Sequence, residues 1–523
     1  MVGGGARFVL NYFTFSQGEV YFILLSSKTN FGGREFSPFG ACHLRVFFLE
    51  LYPSYDRMPG ITRILVLMLE NRSFDHLLGN LPNVDGLQNA PKSLPRSLTD
   101  PSLGNVSINS LGLDTCVDDP FHTFDPTTEK INNNNMDGFV AVEVAAGKDE
   151  SNVVSMFTPD TAPIINQLAE EFAVFDSWFS SVPTCTDPNR QFAMSGTSGG
   201  TVTNFDGKLL LQQTYFDYLN QRNVTAGGYY QDDFWTFGYF EDLQKEENAA
   251  LIKPLDDFWD DVKNDKLPSY TWLQPRMTVN KETGDVPTWQ HPDASISEGE
   301  RLLKKVYESL RASERWNETL LVLTYDEYGG YFDHVPPPSC PPPDDKTDGD
   351  FAFNRLGVRI PTVAISPRIK KGVVVHDALE GEKPTPTSQF ESTSMMATFN
   401  KLFGLDNEPP LSKRMEWANS FASLMDNEFR TDTPETLKDI PEIDLMAESK
   451  FHSLKPVNEH LETQAVFFCR QNYPEQFKVG EICDAAKPFM NNQGDASAFL
   501  RREQVKWLLK RDQRIAVQRE LTT

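Results

Sequence analysis

The sequence predicts an α/β fold, a three-layer α/β/α sandwich around a mostly parallel sheet, with a smaller C-terminal extension. Aliphatic segments without helical periodicity, typical of buried strands, lie at 61–69, 320–323 and 358–365. Helical patterns lie between them, and strands that alternate with helices favour a parallel sheet. The chain has 523 residues, of which 39% are hydrophobic, so it is long enough to bury a large core.

Two helical segments support this alternation. Residues 295–316 are amphipathic, and residues 162–179 predict a helix that runs into a short strand at about 172–175. The apolar side of the first helix carries Leu302, Leu303, Val306 and Leu310. A proline-rich stretch at 336–348 predicts a stiff surface loop within the same domain.

Three regions are expected along the chain: a non-core N-terminal extension at 1–57, a catalytic domain at 58–425, and a helical or irregular extension at 426–523. The first region lacks the roughly 20 consecutive apolar residues of a membrane helix. A strong strand follows Met58 almost at once, which favours Met58 as the true start. That start would make the protein cytoplasmic or peripheral to membranes, and a secreted protein is the alternative.

Charge and cysteine spacing exclude some functions. The net charge of −25 and the pI near 4.8 disfavour binding to nucleic acid, so no nucleic-acid partner is expected. The six cysteines contain no CxxC pair, which disfavours a zinc cage, although disulfides are permitted.

Polar residues end two of the predicted strands. Glu70 and Asn71 follow the first strand, and Asp326 and Glu327 follow the second. The carboxyl ends of parallel strands share one edge of a sheet, where ligands bind. Four oxygen donors meeting there could hold a divalent cation, whereas the alternative is four ordinary loop residues.

Thr186 is the candidate nucleophile. We expect its side chain to cap the helix that Pro188 helps to begin, and a helix N-terminus favours a negative oxygen. A cation would lower the pKa of the hydroxyl and make it reactive. A plain structural cap is the alternative role, and Cys185 is the rival nucleophile.

Three histidines follow candidate strands in polar loops: His122, His291 and His334. Each could protonate a leaving oxygen or hold a phosphate oxygen, although a lone loop histidine is often a simple surface residue. The chain has neither a P-loop nor a Gly-x-Ser-x-Gly elbow, so the sequence supports neither a P-loop nucleotide site nor an esterase triad.

Six long motifs occur in an order that resembles the phosphoesterase family of bacterial phospholipases C, plant non-specific phospholipases C and a bacterial acid phosphatase. The resemblance covers roughly residues 58–425. The motifs are ENRSFDH at 70–76, SVPTCTDPNRQFAMSGTSGG at 181–200, HPDASISEGERLLKKVYESLRASERW at 291–316, LVLTYDEYGGYFDHVPPP at 321–338, RLGVRIPTVAISPRI at 355–369 and SQFESTSMMAT at 388–398.

The resemblance implies an alkaline-phosphatase-like fold and assigns roles to these residues. Those that look like metal ligands are Glu70, Asn71, Asp326 and Glu327. Those that look catalytic are Thr186 as nucleophile, with His122, His291 and His334 as acid/base or phosphate-binding groups. Arg190 and Asn189 are implied as phosphate-binding residues. The cofactor implied is one or more divalent cations of unspecified identity.

The resemblance predicts a phospholipase C that releases diacylglycerol from glycerophospholipids such as phosphatidylcholine, with transient contact to a membrane surface. An acid phosphatase on soluble monoesters is the alternative, and an inactive lipid- or phosphate-binding homologue is a further one. The chain departs from plant relatives at Tyr328, where these commonly have His. Because Tyr carries no positive charge near pH 7, this departure predicts a different pH optimum if that His acts in relatives.

Overall fold

The computed structural model describes residues 11–14, 20–23, 60–112, 119–231, 235–440 and 442–522. The chain divides into two compact units, residues 1–54 and 55–523. In the first unit, β1 (Asn11–Thr14) pairs antiparallel with β2 (Val20–Ile23). The expectation that Met58 is the first residue of the protein falls on residues outside the described ranges.

The second unit is built around a large sheet. Its strands are β3 (Arg63–Leu69), β4 (Ser93–Pro95), β5 (Asn105–Ser107), β6 (Ala173–Phe175), β7 (Trp178–Phe179), β8 (Ala226–Tyr230), β9 (Ile252–Pro254), β10 (Tyr270–Gln274), β11 (Thr319–Tyr325), β12 (Thr362–Ile365), β13 (Val373–Val375) and β14 (Phe390–Glu391). Within the described part of the chain, eight of them form one sheet in the order β13-β6-β12-β11-β3-β10-β8-β9.

The helices of this unit are α1 (Phe74–Leu78), α2 (Phe124–Ile131), α3 (Phe139–Ala145), α4 (Pro163–Glu171), α5 (Thr186–Ser195), α6 (Tyr215–Asn220), α7 (Trp235–Gly238), α8 (Glu246–Ala249), α9 (Leu255–Lys263), α10 (Ile296–Arg311), α11 (Thr393–Phe403), α12 (Lys413–Trp417), α13 (Leu445–Ser453), α14 (Glu459–Asn472) and α15 (Gln493–Thr522). None of the helices that the structure describes combines the length and the apolar character needed to cross a bilayer.

The sheet is parallel except at β12, which runs antiparallel to both β11 and β6. All side chains of β8, β10 and β11 are buried, so both faces of the sheet are covered. Helix α4 packs against α10, and helix α5 packs against α11. The predicted α/β class with a mostly parallel sheet is therefore confirmed.

The third predicted strand is shorter than expected. It begins at Thr362, because Pro361 has no N–H to donate to a neighbouring strand of the sheet. The residues before the proline pair elsewhere: Ser180 N donates to Val358 O at 3.1 Å, and Ile360 N donates to Trp178 O at 2.9 Å.

The residues after 425 pack against the rest of the second unit. Helix α14 contacts α15, and the side chains of Phe467, Phe499 and Trp507 belong to the same hydrophobic core as the central sheet. A disulfide joins Cys469 of α14 to Cys483. The first residues of α14 lie at the carboxyl edge of the sheet, where they contact the loops described below.

Candidate active site

Strand register brings the two predicted pairs of oxygen donors together. β3 and β11 are parallel neighbours, and Leu69 lies opposite Tyr325 at their carboxyl ends. The two chains therefore leave the sheet side by side, and Asn71 N donates to Asp326 Oδ1 at 3.0 Å. The distant stretches meet as the sequence predicted.

The turns at this edge need special backbone conformations. Asn71 has a φ of +58° and Gly329 a φ of +64°, both in the left-handed region. A Cβ on Gly329 would lie only 2.1 Å from the carbonyl oxygen of Asn71. Glycine at position 329 therefore permits the loop after β11 to approach the loop after β3.

Thr186 lies at this junction, although the expected cap is wrong. The N-cap of α5 is Cys185, without a side-chain hydrogen bond, and Thr186 is the first residue of the helix. Its hydroxyl is consequently free of a capping role: Oγ1 donates to Asn71 Oδ1 at 3.1 Å and lies 3.4 Å from His460 Nε2. The Thr186 side chain points into the cluster of predicted metal ligands.

Cys185, the rival nucleophile, faces another direction. Its Sγ lies 3.7 Å from the carbonyl oxygen of Val202. Burial raises the pKa of the Cys185 thiol well above its usual value, and the charge of Glu459 adds to this effect. A thiol held protonated is a weak nucleophile, so the geometry favours Thr186.

Arg190 lies one turn further along α5 and contacts the predicted metal ligands. Its Nη2 is 2.8 Å from Glu70 Oε1, and its Nε is 3.5 Å from Asp326 Oδ2. The side chains of Arg190, Glu70 and Asp326 are fully buried. Arg190 thus neutralises part of the carboxylate charge and fixes the orientation of Glu70.

Asn189 does not reach the cluster. Its Oδ1 accepts from Val182 N at 3.1 Å, and its Nδ2 donates to the carbonyl oxygens of Val182, Thr184 and Cys185. These bonds use its acceptor and both of its donors to hold the loop that leads to Thr186. The phosphate-binding role predicted for Asn189 stays a prediction.

His122 lies beside the predicted ligands. Its Nε2 is 3.3 Å from Asn71 Nδ2, 3.8 Å from Glu327 Oε1 and 3.3 Å from Glu459 Oε1. Burial would lower the pKa of His122, but the charges of Glu327, Asp119 and Glu459 together raise it well above its usual value.

His291 lies on the other side of the cluster. Its Nδ1 is 2.7 Å from Asp293 Oδ1, its Nε2 is 3.8 Å from Asp119 Oδ2, and its ring lies 5.1 Å from that of His460. Burial would lower the pKa of His291, but Asp293 and Asp119 outweigh it and raise the pKa. A protonated His291 is equipped to donate a proton.

His334 lies in a second cluster. Its Nδ1 is 2.6 Å from Asp75 Oδ2 and its Nε2 is 3.2 Å from Asp85 Oδ1. Arg359 joins the same group through Asp75 at 3.1 Å and Asp333 at 2.9 Å. The contacts found for His334 among the described residues reach neither Thr186 nor the predicted metal ligands, so its catalytic role stays a prediction.

Two residues at the site were missed by sequence reasoning: Glu459 and His460. They begin α14, outside the segment that carries the family motifs. His460 Nε2 lies 3.5 Å from Glu70 Oε2 and 3.6 Å from Glu459 Oε1. Burial lowers the pKa of His460 to about 3, because the charge of Glu459, which would raise it, is outweighed. The positive charges of His291, His122 and Arg190 lower the pKa further within this total. Asn458 signals a helix start, but no local pattern shows where that start docks.

Donors at this edge could hold a divalent cation: the ligand atoms of Glu70, His291 and His460 lie within 4.8 Å of one another, and so do those of Asp119, His122 and Glu459. Both carboxylate oxygens of Glu70 and Oε1 of Glu327 are buried and accept no hydrogen bond from a described residue, apart from their ionic contacts with Arg190, His460 and His122. Burial raises the pKa of Glu70, Glu327 and Asp326, and their mutual repulsion adds to the rise for Glu70 and Glu327. A cation among them would offset this cost, and hard oxygen donors suit such an ion.

A cavity of about 770 Å³ opens beside Thr186. Its lining includes Cys185, next to Thr186, and Glu459, next to His460. Aromatic surface comes from Phe124 and Phe205, and further carboxylates come from Asp125, Asp206, Asp348 and Glu462. The cavity is thus partly apolar and strongly acidic.

Tyr328 points away from the cluster. Its ring is fully buried in a separate hydrophobic core with Phe139 and Phe332, and its hydroxyl lies 2.8 Å from Thr127 Oγ1. Thr127 Oγ1 in turn donates to the carbonyl oxygen of His122 at 3.0 Å. The hydroxyl of Tyr328 is therefore linked to the site through Thr127 and the backbone of the loop that carries His122.

A match to a family model places the protein in a known class. The sequence model of the Phosphoesterase family matches residues 61–406. The chain therefore belongs to the phosphoesterase family, and it is a hydrolase.

Its relatives are named as phospholipases C. Non-specific phospholipase C3 of Arabidopsis thaliana is 37% identical over 419 residues, which cover 73% of this chain and 76% of the relative. Non-specific phospholipase C1 of the same plant is 38% identical over 407 residues, covering 73% and 74%. Phospholipase C B of Mycobacterium tuberculosis is 25% identical over 441 residues, covering 73% and 80%.

Similar solved structures include a protein of the alkaline phosphatase superfamily from Vibrio parahaemolyticus. It covers 49% of this chain and 65% of its own, at 12% identity and a TM-score of 0.27. The lipoteichoic acid synthase LtaP from Listeria monocytogenes covers 70% and 76%, at 10% identity and a TM-score of 0.35. The match to the family model and the sequence relatives show the family.

Proposed function

We propose that the protein is a phospholipase C that cleaves glycerophospholipids, with Thr186 as nucleophile. The observation that carries the proposal is the position of Thr186 Oγ1, which donates to Asn71 Oδ1 at 3.1 Å within a buried group of carboxylates. A hydroxyl at the first turn of α5 also benefits from the positive end of the helix dipole, which favours a developing alkoxide.

The chain supplies the other groups that the reaction needs. A divalent cation held by Glu70, Asn71, Asp326 and Glu327 would supply positive charge against the phosphate oxygens. The Thr186 hydroxyl, its pKa lowered by such a cation, would lose its proton to water, and its Oγ1 would attack phosphorus in line as the bond to the diacylglycerol oxygen breaks. His291 protonates that leaving oxygen, because the Asp293 carboxylate stabilises its protonated form. Water then cleaves the phosphothreonine and releases the phosphorylated headgroup.

The acidic cavity favours a cationic headgroup. Aromatic rings and carboxylates together are the surface that attracts a quaternary ammonium ion, which makes phosphatidylcholine a suitable substrate. An anionic headgroup would be repelled by the same carboxylates. We therefore propose that phosphatidylcholine is cleaved faster than phosphatidylglycerol.

Replacement of the nucleophile tests the proposal. Thr186→Ala should release diacylglycerol from phosphatidylcholine vesicles at least about 1,000-fold more slowly, because the substitution removes the hydroxyl that attacks phosphorus. Thr186→Ser should keep measurable activity. The matched control is Thr184→Ala, which removes a nearby threonine hydroxyl that donates to Val202 O at 2.6 Å instead of facing Asn71.

The same assay separates the competing functions. Undiminished turnover by Thr186→Ala would exclude Thr186 as nucleophile. Turnover of nitrophenyl phosphate without diacylglycerol release would identify an acid phosphatase. Faster cleavage of phosphatidylglycerol than of phosphatidylcholine would contradict the role given to the cavity.

A further inference from the structure

We infer that a cavity of about 500 Å³ beside helix α5 binds a phosphate monoester that carries an apolar chain, such as phosphatidic acid. This α5 cavity is lined in part by Gln191 of α5 and by Ser198, which lies just beyond the end of the helix. Asn204, Phe205 and Asp206 line both the α5 cavity and the acidic cavity of the candidate active site. Binding of the ligand is measured directly, so the site stands or falls independently of the proposed function.

Two polar side chains of the lining are buried without a partner. Gln191 and Ser198 are each 1% exposed. Among the residues that the structure describes, Nε2 and Oε1 of Gln191 and Oγ of Ser198 have no hydrogen-bond partner. A buried amide or hydroxyl that makes no hydrogen bond lowers stability, so folded proteins usually provide a partner for it. A ligand in the α5 cavity is such a partner, because both side chains line it.

The charges of the lining favour an anion. Lys208 and Lys346 line the α5 cavity, and Asp206 is the acidic residue found there within the described chain. Lys208 Nζ pairs with Asp206 Oδ2 at 2.9 Å, so the charge of Lys346 is in excess. The acidic cavity is instead lined by five carboxylates and by no lysine or arginine of the described residues. The two cavities therefore attract ligands of opposite charge, although they are neighbours.

A phosphate monoester matches these groups in number and type. It carries about 1.5 to 2 negative charges at pH 7 and has three terminal oxygens. These oxygens can accept from the amide of Gln191, the hydroxyl of Ser198 and the ammonium group of Lys346. While the phosphate keeps one proton, its own hydroxyl can donate to Gln191 Oε1. A carboxylate has only two oxygens and leaves part of this set unmatched.

The apolar part of the lining provides a surface for a chain. Leu209, Leu210 and Leu211 line the α5 cavity directly after Lys208, and Phe205 contributes an aromatic ring. Leu211 is 74% exposed, so this apolar surface continues to solvent. An acyl chain that covers it gains the free energy of removing apolar surface from water, whereas a free phosphate ion does not. A lipid phosphate therefore suits the whole lining better than inorganic phosphate.

Calorimetric titration of the full-length protein tests the inference. The probe is the phosphonate analogue of dihexanoyl phosphatidic acid below its critical micelle concentration, because a phosphoesterase does not cleave its carbon–phosphorus bond. The paired substitution Gln191→Leu and Ser198→Ala should weaken binding of the probe at least about tenfold, since each change removes a hydrogen bond to a charged group. Without the probe, the melting temperature should be unchanged or higher, because the removed groups have no partner within the described protein.

The matched control for the buried hydroxyl is Ser392→Ala. Ser392 is also 1% exposed, and its Oγ likewise has no hydrogen-bond partner among the described residues, but it does not line the α5 cavity. Its replacement should leave the affinity for the probe within about twofold of the wild type. Lys208→Ala should weaken binding, whereas Lys487→Ala should not. The two lysines are matched, with side chains 67% and 63% exposed, and Lys487 pairs with Asp484 at 2.8 Å.

The outcomes separate the α5 cavity from the proposed function. Absence of probe binding to the wild type, unchanged affinity in the paired variant, or an equal loss in Ser392→Ala would overturn the inference. Equal affinity for the same phosphonate without acyl chains would overturn the lipid as ligand and identify a site for small phosphate esters. Hydrolysis of soluble nitrophenyl phosphocholine should persist in every variant, and wild-type protein that fails to hydrolyse it would count against the proposed function alone.

Discussion

At the scale of single residues, the charge on Asp293 controls the state of His291. Its Oδ1 lies 2.7 Å from His291 Nδ1. Burial would raise the pKa of Asp293, but His291 and Asn458 hold it well below its usual value. In return the carboxylate raises the pKa of His291, which keeps the imidazole protonated to a higher pH than an isolated histidine.

Asp293→Asn should therefore shift the basic limb of the kcat–pH profile to lower pH. The substitution removes the charge that raises the pKa of His291, so less of the enzyme carries the donated proton at any given pH. Asp285→Asn is the control, because Asp285 pairs with Arg276 at 3.1 Å and has no such contact with His291. A basic limb that stays in place or moves to higher pH would show that His291 is not the acid.

At the scale of elements, α13 presents an apolar surface to solvent. Phe451 and Leu454 are 56% and 78% exposed, and their spacing of three residues places them on one side of the helix. Lys455 lies over the ring of Phe451 at 5.3 Å and adds a positive charge. A lipid surface suits such a combination, and a shallow contact fits the net charge of −25.

The paired substitution Phe451→Asp and Leu454→Asp should reduce binding to phosphatidylcholine vesicles several-fold in a sedimentation assay. Hydrolysis of the soluble nitrophenyl phosphocholine should be unchanged, since neither side chain is part of the proposed reaction. Leu103→Asp, another exposed apolar position at 50%, is the matched control. Equal vesicle binding by the α13 variant and the control would exclude this helix as the contact surface.

At the scale of the whole molecule, the cation is expected to stabilise the fold as well as the reaction. Three buried carboxylates, of Glu70, Asp326 and Glu327, lie together at the edge of the sheet with Arg190 among them. A cation that binds the folded state at about 100 times its Kd stabilises it by about 2.7 kcal/mol.

Dialysis against a chelator should therefore abolish activity and lower the melting temperature, and a divalent cation should restore both. The Thr186→Ala variant should lose as much melting temperature in the chelator as the wild type, because its predicted metal ligands are intact. The Glu327→Gln variant should show a smaller change in melting temperature, because the substitution removes a charged oxygen donor to the cation. Protein that loses its metal in the chelator yet keeps its activity would refute the metal centre.

Much of the fold and part of the site could be predicted from the sequence. The strands β3 and β11 are aliphatic throughout, and a polar pair follows each of them, which is a local pattern. Their parallel pairing then places Glu70 and Asp326 side by side. The motif around Thr186 likewise indicated a helix start, although the capping residue was shifted by one position.

The tertiary structure alone decided the roles that depend on how distant segments dock. His334 and His291 look alike in sequence, yet the first joins the ion pairs around Arg359 and the second faces His460. His460 lies 274 residues from Thr186 in the chain. Local periodicity determines which segments form strands and helices, whereas the packing of α14 against the sheet edge depends on burial across the whole molecule, which no short pattern contains.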